Sequence, residues 1–161
     1  MRDEPKITPC LWFDTNAEEA AAFYISVFGA GAIVDVTRNG PDGPGPEGSV
    51  LAMTFEVAGQ RFQAINGGPV FSFTEAISMS VACKDQAEVD HYWNALLDGG
   101  GKESQCGWLK DRFGLSWQIV PEALPRLLKQ GDKAQSARVM QAMMQMVKLD
   151  VAKLEAAYHG Q

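Results

Sequence analysis

Residues 16–32 read NAEEAAAFYISVFGAGA, and residues 85–101 read DQAEVDHYWNALLDGGG. These two stretches decide the fold, because they repeat one another. Each opens on an Asx residue, Asn16 or Asp85, with a glutamate three positions on, Glu19 or Glu88. That spacing is a capping box at the start of a helix. Each then carries an aromatic pair, Phe23-Tyr24 or Tyr92-Trp93, and each runs into glycines that end the helix. A second echo lies downstream, where Gly59-Gln60-Arg61-Phe62-Gln63 matches Gly114-Leu115-Ser116-Trp117-Gln118 at a shorter offset. The chain therefore reads as two copies of one supersecondary unit.

Working outward, residues 6–14 (KITPCLWFD) alternate as a strand, with Leu11 and Phe13 on one face and Cys10 and Trp12 on the other. A helix over 16–29 follows, with Ala20, Phe23 and Val27 as its buried stripe. Residues 32–37 form the next strand. The stretch NGPDGPGPEGS at 39–49 holds four glycines and three prolines and is a loop. It accounts for most of the difference between the two offsets. Strands at 50–57 and 60–66 meet at Ala58-Gly59. The second copy opens at Ile77, with Ile77, Met79 and Val81 on one face and Ser78 and Ser80 on the other. A helix over 85–97 and strands around 102–110 and 114–120, turning at 111–114, complete it. Past Pro121 no strand pattern appears. Residues 133–158 lack Gly and Pro, and Met140, Met143, Val147, Val151, Leu154 and Tyr158 recur at helical spacing, as one amphipathic helix or a pair.

The expected fold is α+β: two tandem βαβββ modules, 6–66 and 77–121, joined by a linker at 67–76. They make up a single domain over 1–121, with a C-terminal helical extension at 122–161. A helix covers one face of each sheet; the other face is left for a partner or a ligand.

A length of 161 residues with 46% hydrophobic side chains suits one compact domain. The net charge of −6 argues against nucleic acid, which needs a basic footprint. Residues 122–161 carry six basic and four acidic side chains, too mild an asymmetry to imply a polyanion or a membrane. The three cysteines, Cys10, Cys83 and Cys106, are odd in number and form no CxxC, so neither a disulfide framework nor a zinc site is indicated. The N-terminus MRDEPK is no signal peptide, and no run approaches the roughly 18 apolar residues of a membrane span. A cytoplasmic protein is expected.

LWFD at 11–14 with AEEAAAFY at 17–24, INGGP at 65–69 and CGWLKDRFGLSWQIVP at 106–121 together resemble the PhnB-like group of the vicinal oxygen chelate superfamily. That superfamily includes glyoxalase I, bleomycin-resistance proteins and extradiol dioxygenases. The resemblance covers roughly residues 6–122. It implies that each module curls into half of a cup, and that in metal-dependent relatives four ligands, His or Gln and Glu, line it. The matching positions here are Pro9, Gln63, Ser78 and Gln118. Proline offers no donor, serine is a weak ligand, and neither glutamine is charged, which is a poor set for a divalent ion. The two histidines, His91 and His159, lie in the second helix and near the C-terminus. No cofactor is therefore expected, a divalent metal being the alternative. The group also carries the description 3-demethylubiquinone-9 3-methyltransferase, yet no Gly-rich turn links a first strand to a helix, as an adenosylmethionine site would need.

The candidate binding residues are Trp12, Phe62, Gln63, Ser78, Trp108, Trp117 and Gln118. The glutamines orient a ligand carbonyl or satisfy sheet groups; the aromatic residues line a pocket or fill a core. Cys106 lacks a histidine partner and reads as structural, as do Cys10 and Cys83. Asp14 is a general base or a turn residue. Asn66-Gly67-Gly68-Pro69 is a pocket mouth or a change of direction, and the loop 39–49 a lid or a crossover. The tail methionines (Met140, Met143, Met144, Met146) mark a packing surface, in this chain or in a second copy, and a homodimer is expected. The expected function is binding of a small organic molecule, neutral, flat or carbonyl-bearing, by a metal-independent enzyme or a binding protein. The alternatives are a metal-dependent lyase, isomerase or dioxygenase, and a drug- or metabolite-sequestering protein of the bleomycin-resistance type.

Overall fold

The computed structural model describes residues 4–161, which fall into two compact units, one ending at Phe73 and one running from Thr74 to Gln161. The first contains β1 (Cys10–Phe13), α1 (Ala17–Phe28), β2 (Gly31–Arg38), β3 (Val50–Val57) and β4 (Gln60–Asn66). Its sheet has the order β1-β4-β3-β2, with β1 parallel to β4 and the other pairs antiparallel. Alternation sends Leu11, Phe13, Met53, Phe55, Phe62 and Ala64 into the buried face. Against it α1 lays Ala17, Ala20, Ala21, Tyr24 and Val27. The expected stripe had Phe23 in place of Tyr24. The three alanines centre the buried face on Tyr24, which stacks on Phe55 at 6.5 Å, and leave Phe23 half-buried at the flank.

The start of α1 departs from the capping-box expectation. Asn16 has φ −116° and ψ 27°, outside the extended region of a capping residue, and its side chain makes no cap bond. Asn66, the last residue of β4, does that work from a distance. Its Oδ1 accepts from the Ala17 N–H at 2.9 Å, and its Nδ2 donates to the Val50 carbonyl at 3.0 Å. At the other edge of the sheet, β2 slips register against β3 twice, between Ile33 and Asp35 and between Thr37 and Arg38. It leaves Ile33 and Val34 exposed.

The second unit repeats the order with β5 (Ser78–Cys83), α2 (Gln86–Leu97), β6 (Lys102–Glu103), β7 (Trp108–Lys110) and β8 (Ser116–Pro121), arranged β5-β8-β7-β6. Here the cap is as expected, with Asp85 extended and accepting from the Glu88 N–H at 2.9 Å. The buried residues of α2, Val89, Trp93 and Leu96, cover the face that carries Leu109, Trp117 and Ile119. The turn after β7 is organised by buried Asp111. Its Oδ1 accepts from the N–H groups of Phe113 (2.8 Å) and Leu115 (3.1 Å), and its Oδ2 from Trp117 Nε1 at 2.9 Å.

The tail is three helices, α3 (Ala123–Gln130), α4 (Lys133–Met144) and α5 (Val151–Tyr158), so the segment 133–158 is a pair broken at 145–150. Leu124, Leu127, Val139, Leu149 and Leu154 form its core, with Met143 and Met146 packed against it. Met140 and Met144 remain exposed. The tail is fastened to the module of its own unit. Gln86 donates to the Leu149 carbonyl at 3.1 Å and accepts from the Val151 N–H at 2.7 Å. The N–H groups of Cys106 and Gly107 donate to the carbonyls of Met146 (2.8 Å) and Val147 (2.7 Å). Among the described residues, no helix is long and apolar enough to cross a membrane.

Candidate functional site

A hollow of about 800 Å³ lies in the first unit. Alternation with Leu11 and Phe13 turns Trp12 to the open face of the sheet, in register with Ile65. Both line the cavity. The Trp12 ring sits where a Cβ of residue 67 would be, so only a glycine admits it. Its Nε1–H donates to the Gly68 carbonyl at 2.9 Å, and Phe71 meets it edge-on at 4.9 Å. The INGGP turn is thus both a change of direction and the seat of an indole.

The loop 39–49 forms the opposite wall. It is organised on Asn39, which is 7% exposed. The Asn39 N–H donates to the Ser49 carbonyl at 2.8 Å, its Nδ2 donates to Ser49 Oγ at 2.9 Å, and its carbonyl accepts from Gly48 N–H at 2.8 Å. A Cβ at Gly43 or Gly45 would come within 2.8 Å of the Asn39 side chain, so these glycines are set by close approach. Arg38 clasps the same loop, donating from Nη1 to the Gly48 carbonyl at 3.1 Å, and lies 3.6 Å from Glu18 of α1. Asp14 leaves β1 at the cavity edge, and its carboxylate has no hydrogen bond or ion pair among the described residues.

Gln63 lies farther along the same open face, between Cys10 on β1 and Thr54 on β3. With Asp35, Thr37, Thr54 and Ile65 it lines a shallow hollow of about 210 Å³. Partial burial pushes the Cys10 thiol up, which opposes formation of a thiolate at neutral pH. On the open face of the second sheet, Gln118 Nε2 donates to Ser78 Oγ at 2.9 Å, and Trp108 stands across the ladder from Gln118. A hollow of about 240 Å³ there is lined by Trp108, Ser116 and the ion pair of Lys110 with Glu75 at 2.5 Å. The Ser116 hydroxyl is buried with no hydrogen-bond partner among the described residues.

Strand alternation separates two pairs that the sequence reading grouped. Phe62 and Trp117 point to the faces opposite Gln63 and Gln118. Phe62 stacks on Phe55 at 5.5 Å in the first core, and Trp117 is held by Asp111 in the second. Glu18 and Arg38 join the cavity without a sequence expectation, and Asn39 and Ser49 join it as the ends of the loop 39–49. Their signal was the glycine spacing in 39–49, which implies a side chain for the loop to close on.

The four positions that the resemblance matches to metal ligands offer poor donors for an ion. Pro9 has no donor, the Ser78 hydroxyl and Gln118 amide engage each other, and the Gln63 amide is neutral and exposed. Among the described residues, no group of three or more His, Cys, Asp or Glu side chains is placed to hold an ion.

The family model described as 3-demethylubiquinone-9 3-methyltransferase matches residues 5–120. A solved PhnB protein from Bacillus cereus, described as a 3-demethylubiquinone-9 3-methyltransferase, is 36% identical. The match covers 73% of this chain and 99% of that one, with a TM-score of 0.67. A protein from Pseudomonas aeruginosa is similar at 24% identity and a TM-score of 0.60, covering 74% of this chain and 98% of that one. The fosfomycin resistance protein FosX from Listeria monocytogenes, solved with Mn(II) and sulfate, shares the fold at 15% identity and a TM-score of 0.52. That match covers 73% of this chain and 90% of that one. No curated protein matches the chain.

Proposed function

The chain belongs to the 3-demethylubiquinone-9 3-methyltransferase family of PhnB-like proteins with the vicinal oxygen chelate fold, and on that premise we propose that it binds a small organic molecule without a metal. The observation that carries this reading is the cavity between Trp12 and the loop closed on Asn39. Its size, about 800 Å³, falls within the range of small-molecule sites, and an apolar floor with a few polar groups is their usual lining. The donor chemistry of Pro9, Gln63, Ser78 and Gln118 supports the metal-free part.

Methyl transfer from adenosylmethionine is not part of this reading. The link from β1 to α1 is Asp14-Thr15-Asn16, with no glycine to let a nucleotide approach the backbone. The sheet is also mostly antiparallel, unlike a doubly wound nucleotide-binding sheet.

A fragment screen by thermal melting tests the proposal, run with the metal-free protein and again with Mn, Ni or Zn. Expected are fragments that raise Tm equally in both runs and lose their effect in Trp12→Phe. A stoichiometric ion that raises Tm, is removed by chelator, and is required for every fragment would sink it.

A further inference from the structure

We infer that the ligand of the Trp12 cavity is an organic cation, an ammonium group on an apolar body. This rests on the reading of that cavity as the binding site. Trp12 Nε1–H is committed to the Gly68 carbonyl. Asn39 Nδ2 is committed to Ser49, and the Ser49 hydroxyl to the Pro46 carbonyl. Asn66 Nδ2 is committed to the Val50 carbonyl, and the first N–H of α1 to Asn66 Oδ1. The Arg38 guanidinium is turned to Gly48 and Glu18. Every amide and indole donor on the cavity side chains thus has a partner within the chain.

Acceptors are what remain. The Asp14 carboxylate has no hydrogen bond or ion pair among the described residues, and the lining holds two carboxylates, Asp14 and Glu18, to the one guanidinium of Arg38, which pairs with Glu18. The Thr15 hydroxyl has no hydrogen bond among the described residues and accepts as readily as it donates. Beside these lies the π face of Trp12, the aromatic surface that best attracts a cation. The engaged amides and indole would not offset a carboxylate or phosphate brought up to Asp14, and the Arg38 guanidinium is already paired with Glu18, whereas an ammonium finds both a counter-charge and a ring. The neutral ligand expected from Gln63 and Gln118 does not carry over to this cavity, because neither glutamine lines it.

The test uses the full chain and three probes of one shape: 2-phenylethylammonium, 2-phenylethanol and phenylacetate, titrated by tryptophan fluorescence and calorimetry at low salt. The ammonium should bind at least about tenfold more tightly than the alcohol, with phenylacetate weakest. In Asp14→Asn that preference should shrink to within about threefold, with Tm unchanged because this carboxylate holds no partner among the described residues. Tighter binding of phenylacetate, or a preference that survives Asp14→Asn, overturns the inference. Equal binding of all three, lost in Trp12→Phe, leaves the cavity as the site and removes the cation. No binding by any probe removes both.

Discussion

A Cβ at Gly67 would collide with Cζ2, Cε2 and Cη2 of Trp12, in the six-membered ring of the indole. Sequence places the two residues far apart, and the parallel pairing of β1 with β4 brings them together. Gly67→Ala should therefore push the indole out of its seat and break its bond to the Gly68 carbonyl. Overpacking of this kind costs about 1–3 kcal/mol. Urea unfolding would measure the loss, and a red-shifted tryptophan emission would report the displaced ring.

The two helix starts differ, and substitution should show it. Asp85→Ala removes a working cap and should cost about 1 kcal/mol. Asn16→Ala should cost much less, because no cap bond exists there to lose. Asn66→Ala should be the most damaging of the three. It orphans both the Ala17 N–H and the Val50 carbonyl, at about 1–3 kcal/mol for each buried group left unpaired. Chemical denaturation of the three variants ranks them; an Asn16→Ala loss equal to that of Asn66→Ala would contradict this account.

Asp111 accepts three hydrogen bonds in a buried turn. Asp111→Ala should cost at least about 3 kcal/mol, since bonds to a charged group are worth about 1.5–3 kcal/mol each. Asp111→Asn can keep both bonds at Oδ1 while turning its amide N–H₂ toward Trp117 Nε1, so it should cost about 1–3 kcal/mol. Near-ultraviolet circular dichroism would follow Trp117 in both variants.

Burial, with the charges of Glu88 and Asp85 behind it, pushes the Cys83 thiol up to about 12. A group whose pKa is raised on folding contributes stability that is complete below its unfolded value and is lost as pH rises through the folded one. Stability should therefore fall from about pH 9 upward, and Cys83→Ala should flatten that alkaline limb. Alkylation followed by mass spectrometry should label exposed Cys10 before Cys83 at every pH short of unfolding.

Much of this architecture is legible as periodicity. Strands β3 and β4 lie where alternation and the Ala58-Gly59 turn put them, and α2 ends at its glycines. Where the sequence is silent, the cause is that a side chain's partner can lie far along the chain. Asn16 has the form of a cap, yet Asn66 is the cap, through a contact 49 residues away. Grouping Phe62 with Gln63, and Trp117 with Gln118, ignored a rule the sequence does carry, since adjacent strand residues face opposite ways. Asp111 in Asp-Arg-Phe-Gly was readable as an Asx turn. Its hold on Trp117 was not, because that bond depends on how β7 and β8 register.

The two register slips in β2 bear on how the protein behaves when crowded. An outermost strand with bare amides and exposed Ile33 and Val34 is a template on which a foreign strand can grow. Fibril-forming pairing needs a straight, uninterrupted ladder, and bulges twist such an edge out of line. With a slip on either side of Asp35–Thr37, and the charges of Asp35 and Arg38 along it, β2 offers an incoming chain only a few residues of continuous register. The irregularity that weakens this ladder from within thus protects the sheet from aggregation.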